Sequence, residues 1–166
     1  MCVLCEAAGQ AAEFSVTSRP AHRLAGLWWR GVGHLPDRLD LEPTIARVAA
    51  FSATRTSIWK SPLVGILRQA PGSCSYFIGV DLGEAPEIPS DFVFFDAPEM
   101  DLVSVWHGPT DGLVEDRYLA MADWLRAHGY TASSAICERR EEYPHDTDGS
   151  SQSSFRLMIP VYRQFD

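Results

Sequence analysis

The stretch Asp-Leu-Val-Ser-Val-Trp-His-Gly-Pro at residues 101–109 decides the fold, because an earlier part of the chain repeats its pattern. Residues 24–31, Leu-Ala-Gly-Leu-Trp-Trp-Arg-Gly, are also apolar and aromatic and end at glycine, and the two Trp-x-Gly triplets lie 77 residues apart. Apolar runs of this length that end at Gly or Pro are typical of buried strands. The chain therefore contains an internal repeat of two copies, and each copy begins with a strand.

The same order of elements follows in each copy. In the first copy, the pattern predicts a helix from Glu42-Pro43 to about Thr54, since Pro is tolerated in the first turn, and then strands over 62–67 and 76–80. In the second copy, we expect a helix over 112–128 that ends at Gly129, a residue type favoured just after a helix. Strands over 134–140 and 155–162 complete the second copy.

The sequence thus predicts an α+β fold, a duplicated βαββ arrangement. Its two halves are expected to be related by a pseudo-twofold axis, with antiparallel sheets, helices on one side and a groove between the halves. We expect an N-terminal lead-in over residues 1–19 and a single domain over 20–166. The half-repeats would cover about 20–82 and 92–163.

Composition and charge exclude several classes of function. The 166 residues are 46% hydrophobic and 22% charged, as in ordinary globular proteins. The net charge of −8 and a pI near 5.0 leave no basic face for a phosphate backbone, so we expect no direct nucleic-acid binding. No apolar run approaches the roughly 20 residues of a membrane span, and the N-terminus does not resemble a signal peptide. We therefore expect a cytoplasmic protein without a membrane partner.

The N-terminal cysteines are the only motif with metal-ligand spacing. Cys2 and Cys5 form a C-x-x-C, but neither a second C-x-x-C nor a histidine pair completes a zinc site. Reduced thiols are the ordinary state of cysteines in a cytosol. We therefore predict no metal and no cofactor.

Four segments of the second half carry a resemblance to a known family. They are Trp-His-Gly-Pro at 106–109, Trp-Leu-Arg-Ala-His-Gly-Tyr at 124–130, Cys-Glu-Arg-Arg-Glu-Glu-Tyr at 137–143 and Met-Ile-Pro-Val-Tyr at 158–162. In this order and spacing they resemble the GyrI-like small-molecule-binding family, which includes the effector-binding domains of bacterial multidrug-responsive transcription activators. The resemblance covers roughly residues 20–163, and it departs from the family where Thr110 follows Gly-Pro in place of Tyr.

The resemblance implies a ligand pocket with one carboxylate, on the strand after the second helix. The matching position in this chain is Glu138. A buried carboxylate without a partner is costly, so it must be paired, protonated or bound to a ligand. An aromatic cation would satisfy it. The alternative is that Glu138 pairs with Arg139, Arg140 or an arginine across the sheet.

Tryptophans are the predicted walls of the groove. Side chains alternate along a strand, so Trp106 lies on the face opposite to Val103 and Val105, which are expected to pack on the helix. The repeat offset then directs Trp29 into the same groove. Flat indole rings suit flat apolar ligands, although aromatic residues on strands are often part of the core. Further candidates are Trp59 at the rim, and Tyr76 and Tyr143 as sources of hydroxyl groups.

Three functions follow from these residues. The first is a stand-alone small-molecule-binding protein that holds flat, apolar aromatic compounds, whether neutral or cationic. The second is a hydrolase of electrophilic, cyclopropane-containing natural products, an activity that the resemblance implies for some stand-alone members, with Glu138 as the catalytic residue acting on water. No G-x-S-x-G, phosphate loop or H-E-x-x-H is present to support other chemistry. The third is an inhibitor or partner-binding protein, which would need an exposed apolar patch.

Overall fold

The computed structural model describes residues 14–55, 61–83, 87–147 and 153–163. The chain is α+β, as predicted, with two helices and nine strands among these residues. In chain order the elements are β1 (Ser15–Arg19), β2 (His22–Val32), α1 (Arg38–Ala53), β3 (Leu63–Ala70), β4 (Ser73–Asp81), β5 (Val93–Ala97), β6 (Met100–His107), α2 (Val114–Ala127), β7 (Tyr130–Ala132), β8 (Arg139–Tyr143) and β9 (Phe155–Arg163).

The strands form one sheet in which the two halves meet at its centre. The order is β1-β6-β9-β8-β3-β4-β2-β5, and β7 pairs with β9. The first half contributes β3-β4-β2 and the second contributes β6-β9-β8, so that β3 and β8 join the halves. The strand that precedes each βαββ unit pairs with the first strand of the other unit: β1 pairs with β6, and β5 pairs with β2. The end of the predicted lead-in is thus part of the sheet.

Both helices pack on one face of the sheet, which we call the helix face. Helix α1 begins at Arg38, four residues before the predicted start, because Asp37 and Asp40 form a capping box. The side chain of Asp37 accepts a hydrogen bond from the Asp40 backbone at 2.8 Å, and the Asp40 side chain accepts one in return at 3.1 Å. Pro43 therefore lies inside the helix. Within the described residues, neither helix has the length and apolar character needed to span a membrane.

A second, smaller core covers the opposite face of the sheet. It contains Val64, Ile66 and Phe77 from the central strands, and Ile136 and Cys137 lie against it. The predicted strand over 134–140 is therefore wrong over 134–138: Ile136 and Cys137 fold over this face, and β8 starts only at Arg139. The apolar pattern of this segment comes from packing on the sheet rather than from pairing within it.

A buried ionic group lies on the same opposite face. Arg140 is 2% exposed and Glu142 is 1% exposed. Oxygen Oε1 of Glu142 accepts hydrogen bonds from Nε of Arg19 at 2.8 Å and from Nε of Arg140 at 3.1 Å. Burial opposes ionisation of Glu142, but the hydrogen bond from Arg19 and the charge of Arg140 outweigh it and hold its pKa below the usual value.

Replacing Glu142 by Ala is expected to destabilise the protein by about 3–5 kcal/mol, because it leaves the Arg140 guanidinium buried without its counter-charge. The double variant Arg140→Met/Glu142→Leu is expected to recover most of this loss, since it removes both charges together. Urea unfolding measures both effects. The control is Asp96→Ala, which breaks an exposed pair with Arg23 and should change the free energy of unfolding only slightly. A loss of that small size for Glu142→Ala would show that water reaches Arg140.

Candidate functional site

A cavity of about 360 Å³ opens on the helix face, between the N-terminal ends of the two helices and the central strands. Its apolar lining comes from both halves of the chain: Leu35, Leu41, Leu67, Leu113, Val114 and Phe155. Glu141 of β8 and Tyr76 of β4 also line it. A mostly apolar cavity with a few converging polar groups is the usual form of a small-molecule site.

The carboxylate of Glu141 is the central polar group of this cavity. Its Oε2 accepts hydrogen bonds from the hydroxyl groups of Tyr76 at 2.6 Å and Tyr143 at 2.7 Å. Its Oε1 accepts one from the hydroxyl group of Tyr118, on α2, at 3.1 Å. We call these four side chains the tyrosine–glutamate cluster. The three donors satisfy a carboxylate that is only 9% exposed.

A glycine on the neighbouring strand makes room for this cluster. Gly65 pairs directly with Glu141, and both therefore face the helices. A Cβ atom at position 65 would lie 1.8 Å from the hydroxyl oxygen of Tyr76. Glycine in the interior of a strand often marks such a close approach. Gly65 thus lets the hydroxyl group of Tyr76 reach Glu141.

Burial, and after it the charge of Glu141, raises the pKa of Tyr76, Tyr118 and Tyr143 well above the usual value near 10. All three tyrosines therefore remain protonated throughout the physiological range. They act as hydrogen-bond donors to the carboxylate, and their rings add aromatic surface around it.

Two arginines border the cluster. Arg139 binds Glu115 through two hydrogen bonds, at 2.6 and 2.8 Å, and its guanidinium carbon lies 3.9 Å from the ring centre of Tyr118. Arg38 places its guanidinium carbon 4.6 Å from the ring centre of Phe155. The cavity therefore contains both signs of charge next to aromatic rings.

The structure brings Tyr76 and Tyr143 together, but around Glu141 instead of Glu138. Glu138 is half-buried before β8 begins, and its Oε2 accepts a hydrogen bond from the backbone of Gln69 at 2.9 Å. The placement of Glu138 on a strand that faces the groove is thus wrong. The error arises because the sequence analysis placed this strand over 134–140. The strand β8 covers Arg139–Tyr143, and the alternation of side chains along it directs Glu141 toward the helices.

The two tryptophans lie on opposite faces of the sheet. Trp29 pairs with Tyr76 and packs against the core of the helix face. Trp106 pairs with Arg156, which pairs with Glu142 on the opposite face. The prediction that Trp29 and Trp106 share one groove is therefore wrong. Within the described part of the chain, neither tryptophan lines the cavity.

The repeat offset explains this error. An offset of 78 residues matches Trp28 to Trp106 and places equivalent side chains on the same face of the sheet. An offset of 77 residues matches Trp29 to Trp106 and places them on opposite faces. A shift of one residue moves every side chain of a strand to its other face. Trp28 indeed packs on the opposite face, with its ring centre 5.3 Å from that of Phe77. Trp59, Cys2 and Cys5 lie outside the described residues.

The Cys137 thiol is poorly placed to act as a nucleophile in the cavity. Burial raises the pKa of the Cys137 thiol to about 11, so that it is not a thiolate nucleophile at neutral pH. Cys137 also packs on the opposite face, away from the cavity. In the described ranges, no group of three or more His, Cys, Asp or Glu side chains is arranged to hold a metal ion.

Known structures share this fold at low sequence identity. The C-terminal domain of EcmrR is 16% identical, with a TM-score of 0.62, over 93% of this chain and 99% of that domain. SAV2435 bound to tetraphenylphosphonium is 12% identical, with a TM-score of 0.63, over 90% of this chain and 94% of that one. A hydrolase from Listeria innocua is 14% identical, with a TM-score of 0.52, over 90% and 92%. No known protein family and no curated protein matches the sequence.

These similarities establish the fold. They confirm the GyrI-like resemblance at that level, an α+β domain with a large antiparallel sheet and helices on one face. In the EcmrR–DNA complex, where the TM-score is 0.64 and the identity 15%, this chain spans 58% of the EcmrR chain.

We expect the tyrosine–glutamate cluster to make stability fall steeply at alkaline pH. Above about pH 10 the tyrosines of the unfolded chain lose their protons, whereas the buried ones keep theirs, so each contributes a loss of about 1.4 kcal/mol per pH unit. Tyr118→Phe removes one of the three buried tyrosine hydroxyl groups. It should therefore reduce the loss of stability by about 1.4 kcal/mol per pH unit. Urea unfolding at several pH values above 10 measures the slopes.

The matched control is Tyr162→Phe, because Tyr162 is 54% exposed in the folded protein. The same measurement on this variant gives the effect of removing a tyrosine hydroxyl group that is not buried. Equal slopes for all three proteins would mean that Tyr118 ionises without unfolding, which would contradict its burial against Glu141.

Proposed function

We propose that this protein binds small, mostly apolar aromatic molecules in the cavity on the helix face, with Glu141 as its central polar group. The observation that supports this most is the tyrosine–glutamate cluster at an apolar cavity. A carboxylate held by three hydroxyl donors is a fixed acceptor that a ligand meets without rearrangement of the protein. Such preorganisation reduces the cost of binding.

The geometry suits a ligand with a flat apolar body. A volume of about 360 Å³ lies in the range of small-molecule sites. Leucine and valine side chains supply apolar contact, and Phe155 supplies a ring face. The carboxylate of Glu141 offers one acceptor for a donor on an otherwise apolar ligand, and the charged side chains that also line the cavity are Asp37, Arg38, Glu115 and Arg139.

The comparisons support the same class of function. SAV2435 has been solved with tetraphenylphosphonium, a small molecule with four aromatic rings. The GyrI-like resemblance implies recognition of small aromatic molecules by effector-binding domains. A small aromatic partner is accordingly the ligand class that we propose for this chain.

A hydrolase is the second candidate, supported by the hydrolase of similar fold from Listeria innocua and by the central carboxylate. Glu141 would then direct a water molecule at an electrophilic ligand. Its oxygens already accept three hydroxyl hydrogen bonds, however, so the water must share those oxygens with the tyrosines. Mass spectrometry of recovered electrophilic ligands distinguishes the two: an added water in the wild type but not in Glu141→Gln would show hydrolysis.

We predict that Leu113→Asn weakens binding of the neutral dye Nile red by about fivefold, because it removes roughly 1 kcal/mol of apolar contact at the cavity. Leu113 is 70% exposed and occupies the N-cap position of α2 without a capping side chain. Asn is a favoured N-cap residue, so the variant should be at least as stable as the wild type. A fluorescence titration then separates loss of binding from loss of folding.

The matched control is Leu119→Asn, on the same helix, 66% exposed and outside the cavity. It should bind Nile red like the wild type. Saturable binding that Leu113→Asn and Leu119→Asn reduce equally would place the dye elsewhere, and the absence of saturable binding would contradict the proposed function.

A further inference from the structure

A second depression adjoins the cavity, between the hairpin that joins β3 to β4 and the loop before α1. It encloses about 320 Å³, and we call it the hairpin groove. Its lining includes His34, Leu35, Gln69, Ala70, Ser73 and Cys74. Leu35 lines the cavity as well as the hairpin groove. The two spaces therefore meet at this side chain.

The register of β3 and β4 shows how the hairpin groove continues the cavity. Leu67 pairs with Tyr76, and both line the cavity. Gln69 pairs with Cys74, and both line the hairpin groove. Residues two apart on a strand point to the same face of the sheet, roughly 7 Å from each other. A ligand that follows these strands on the helix face therefore passes from one space into the other.

The loop before α1 forms the other side of the hairpin groove. After β2 the chain turns at Gly33, whose φ of +79° favours glycine. The imidazole ring of His34 then lies edge-on to the ring of Trp29, with ring centres 6.1 Å apart. Trp29 itself pairs with Tyr76 on the helix face. These contacts hold the loop above the same strands, and Leu35 borders both spaces as a result.

The hairpin groove differs from the cavity in its chemistry. Gln69 and Ser73 are exposed and offer an amide and a hydroxyl group. Among the described residues, no Asp, Glu, Lys or Arg side chain lines it. Two carboxylates lie beside it: Glu138 accepts a hydrogen bond from the backbone of Gln69 at 2.9 Å, and Asp40 lies 3.5 Å from His34. A mostly apolar cavity thus continues into a groove that offers hydrogen bonds.

We infer that the hairpin groove is a second subsite for the ligand of the cavity: it holds the polar, hydrogen-bonding end of an elongated molecule whose aromatic body lies in the cavity. Gln69 binds this end through its side-chain amide. The inference rests on the proposed function and narrows its ligand class, from aromatic molecules in general to elongated ones with one polar end. Two adjoining subsites of different polarity also fix the direction in which such a molecule binds.

The test uses three probes that share one aromatic body. They are Nile red, Nile red with a propionamide chain linked through a ring oxygen, and Nile red with an isopentyl chain at the same oxygen. The two chains have the same shape, but only the propionamide chain forms hydrogen bonds. Fluorescence titration gives the dissociation constant of each probe.

The test variant is Gln69→Leu, which removes the side-chain amide at an exposed position and keeps a side chain of similar size. The matched control is Ser75→Leu. Ser75 is the neighbour of Cys74 on β4, its side chain lies on the opposite face, and it lines neither the cavity nor the hairpin groove. Circular dichroism and urea unfolding confirm that both variants are folded.

In Gln69→Leu we expect the propionamide probe to bind about three- to tenfold more weakly, which is the effect of losing one hydrogen bond. Nile red and the isopentyl probe should weaken by less than about twofold, because neither forms this hydrogen bond. Ser75→Leu should leave the affinities of all three probes unchanged.

The other outcomes separate the subsite from the proposed function. If the propionamide probe binds the wild type and Gln69→Leu equally, or if neither extended probe binds while Nile red does, the subsite is wrong and the proposed function remains. Equal losses in Gln69→Leu and Ser75→Leu would likewise overturn the subsite. If none of the three probes binds the wild type, the proposed function is wrong, and the inference fails with it.

Discussion

Compensation of charge along β8 is the constraint on which the rest of this structure depends. The strand runs through the middle of the sheet as Arg139, Arg140, Glu141, Glu142 and Tyr143, and the last four of these are buried. Buried charges are tolerated only when they are paired and hydrogen-bonded. Alternation sends two charges to each face, so the protein has to supply partners on both sides of the sheet.

The partners come from both halves of the chain, which links the site to the fold. On the opposite face, Arg19 of β1 reaches Glu142. On the helix face, Tyr76 comes from the first half and Tyr118 from the second, and both donate to Glu141. The junction of β3 with β8 brings these groups together, and Gly65 at that junction leaves the space they need. The central carboxylate is therefore a product of the pairing of the two halves.

Local contacts, more than net charge, set the electrostatics of the cavity. The chain carries eight more acidic than basic residues, and the cavity combines three carboxylates with two arginines that lie over aromatic rings. At distances of 4–5 Å in a partly buried site, such contacts outweigh charges on the far surface, which salt screens. The ligand class accordingly depends on which side chains share the cavity.

The sequence by itself determined the α+β class and the second helix, because hydrophobic periodicity and glycine positions are local signals. It also singled out Tyr76 and Tyr143, whose hydroxyl groups the structure brings together. It did not determine which glutamate faces the cavity. Ile136 and Cys137 lie in the predicted strand but cover the opposite face, whereas the charged residues 139–143 form the central strand. Only the tertiary structure decided this, because the partners that make buried charges tolerable, Arg19 and Tyr76, lie 123 and 65 residues away along the chain. The tertiary structure also decided on which face of the sheet each tryptophan lies. A shift of one residue in the alignment of the two repeats moves a side chain to the other face but leaves the local apolar pattern intact.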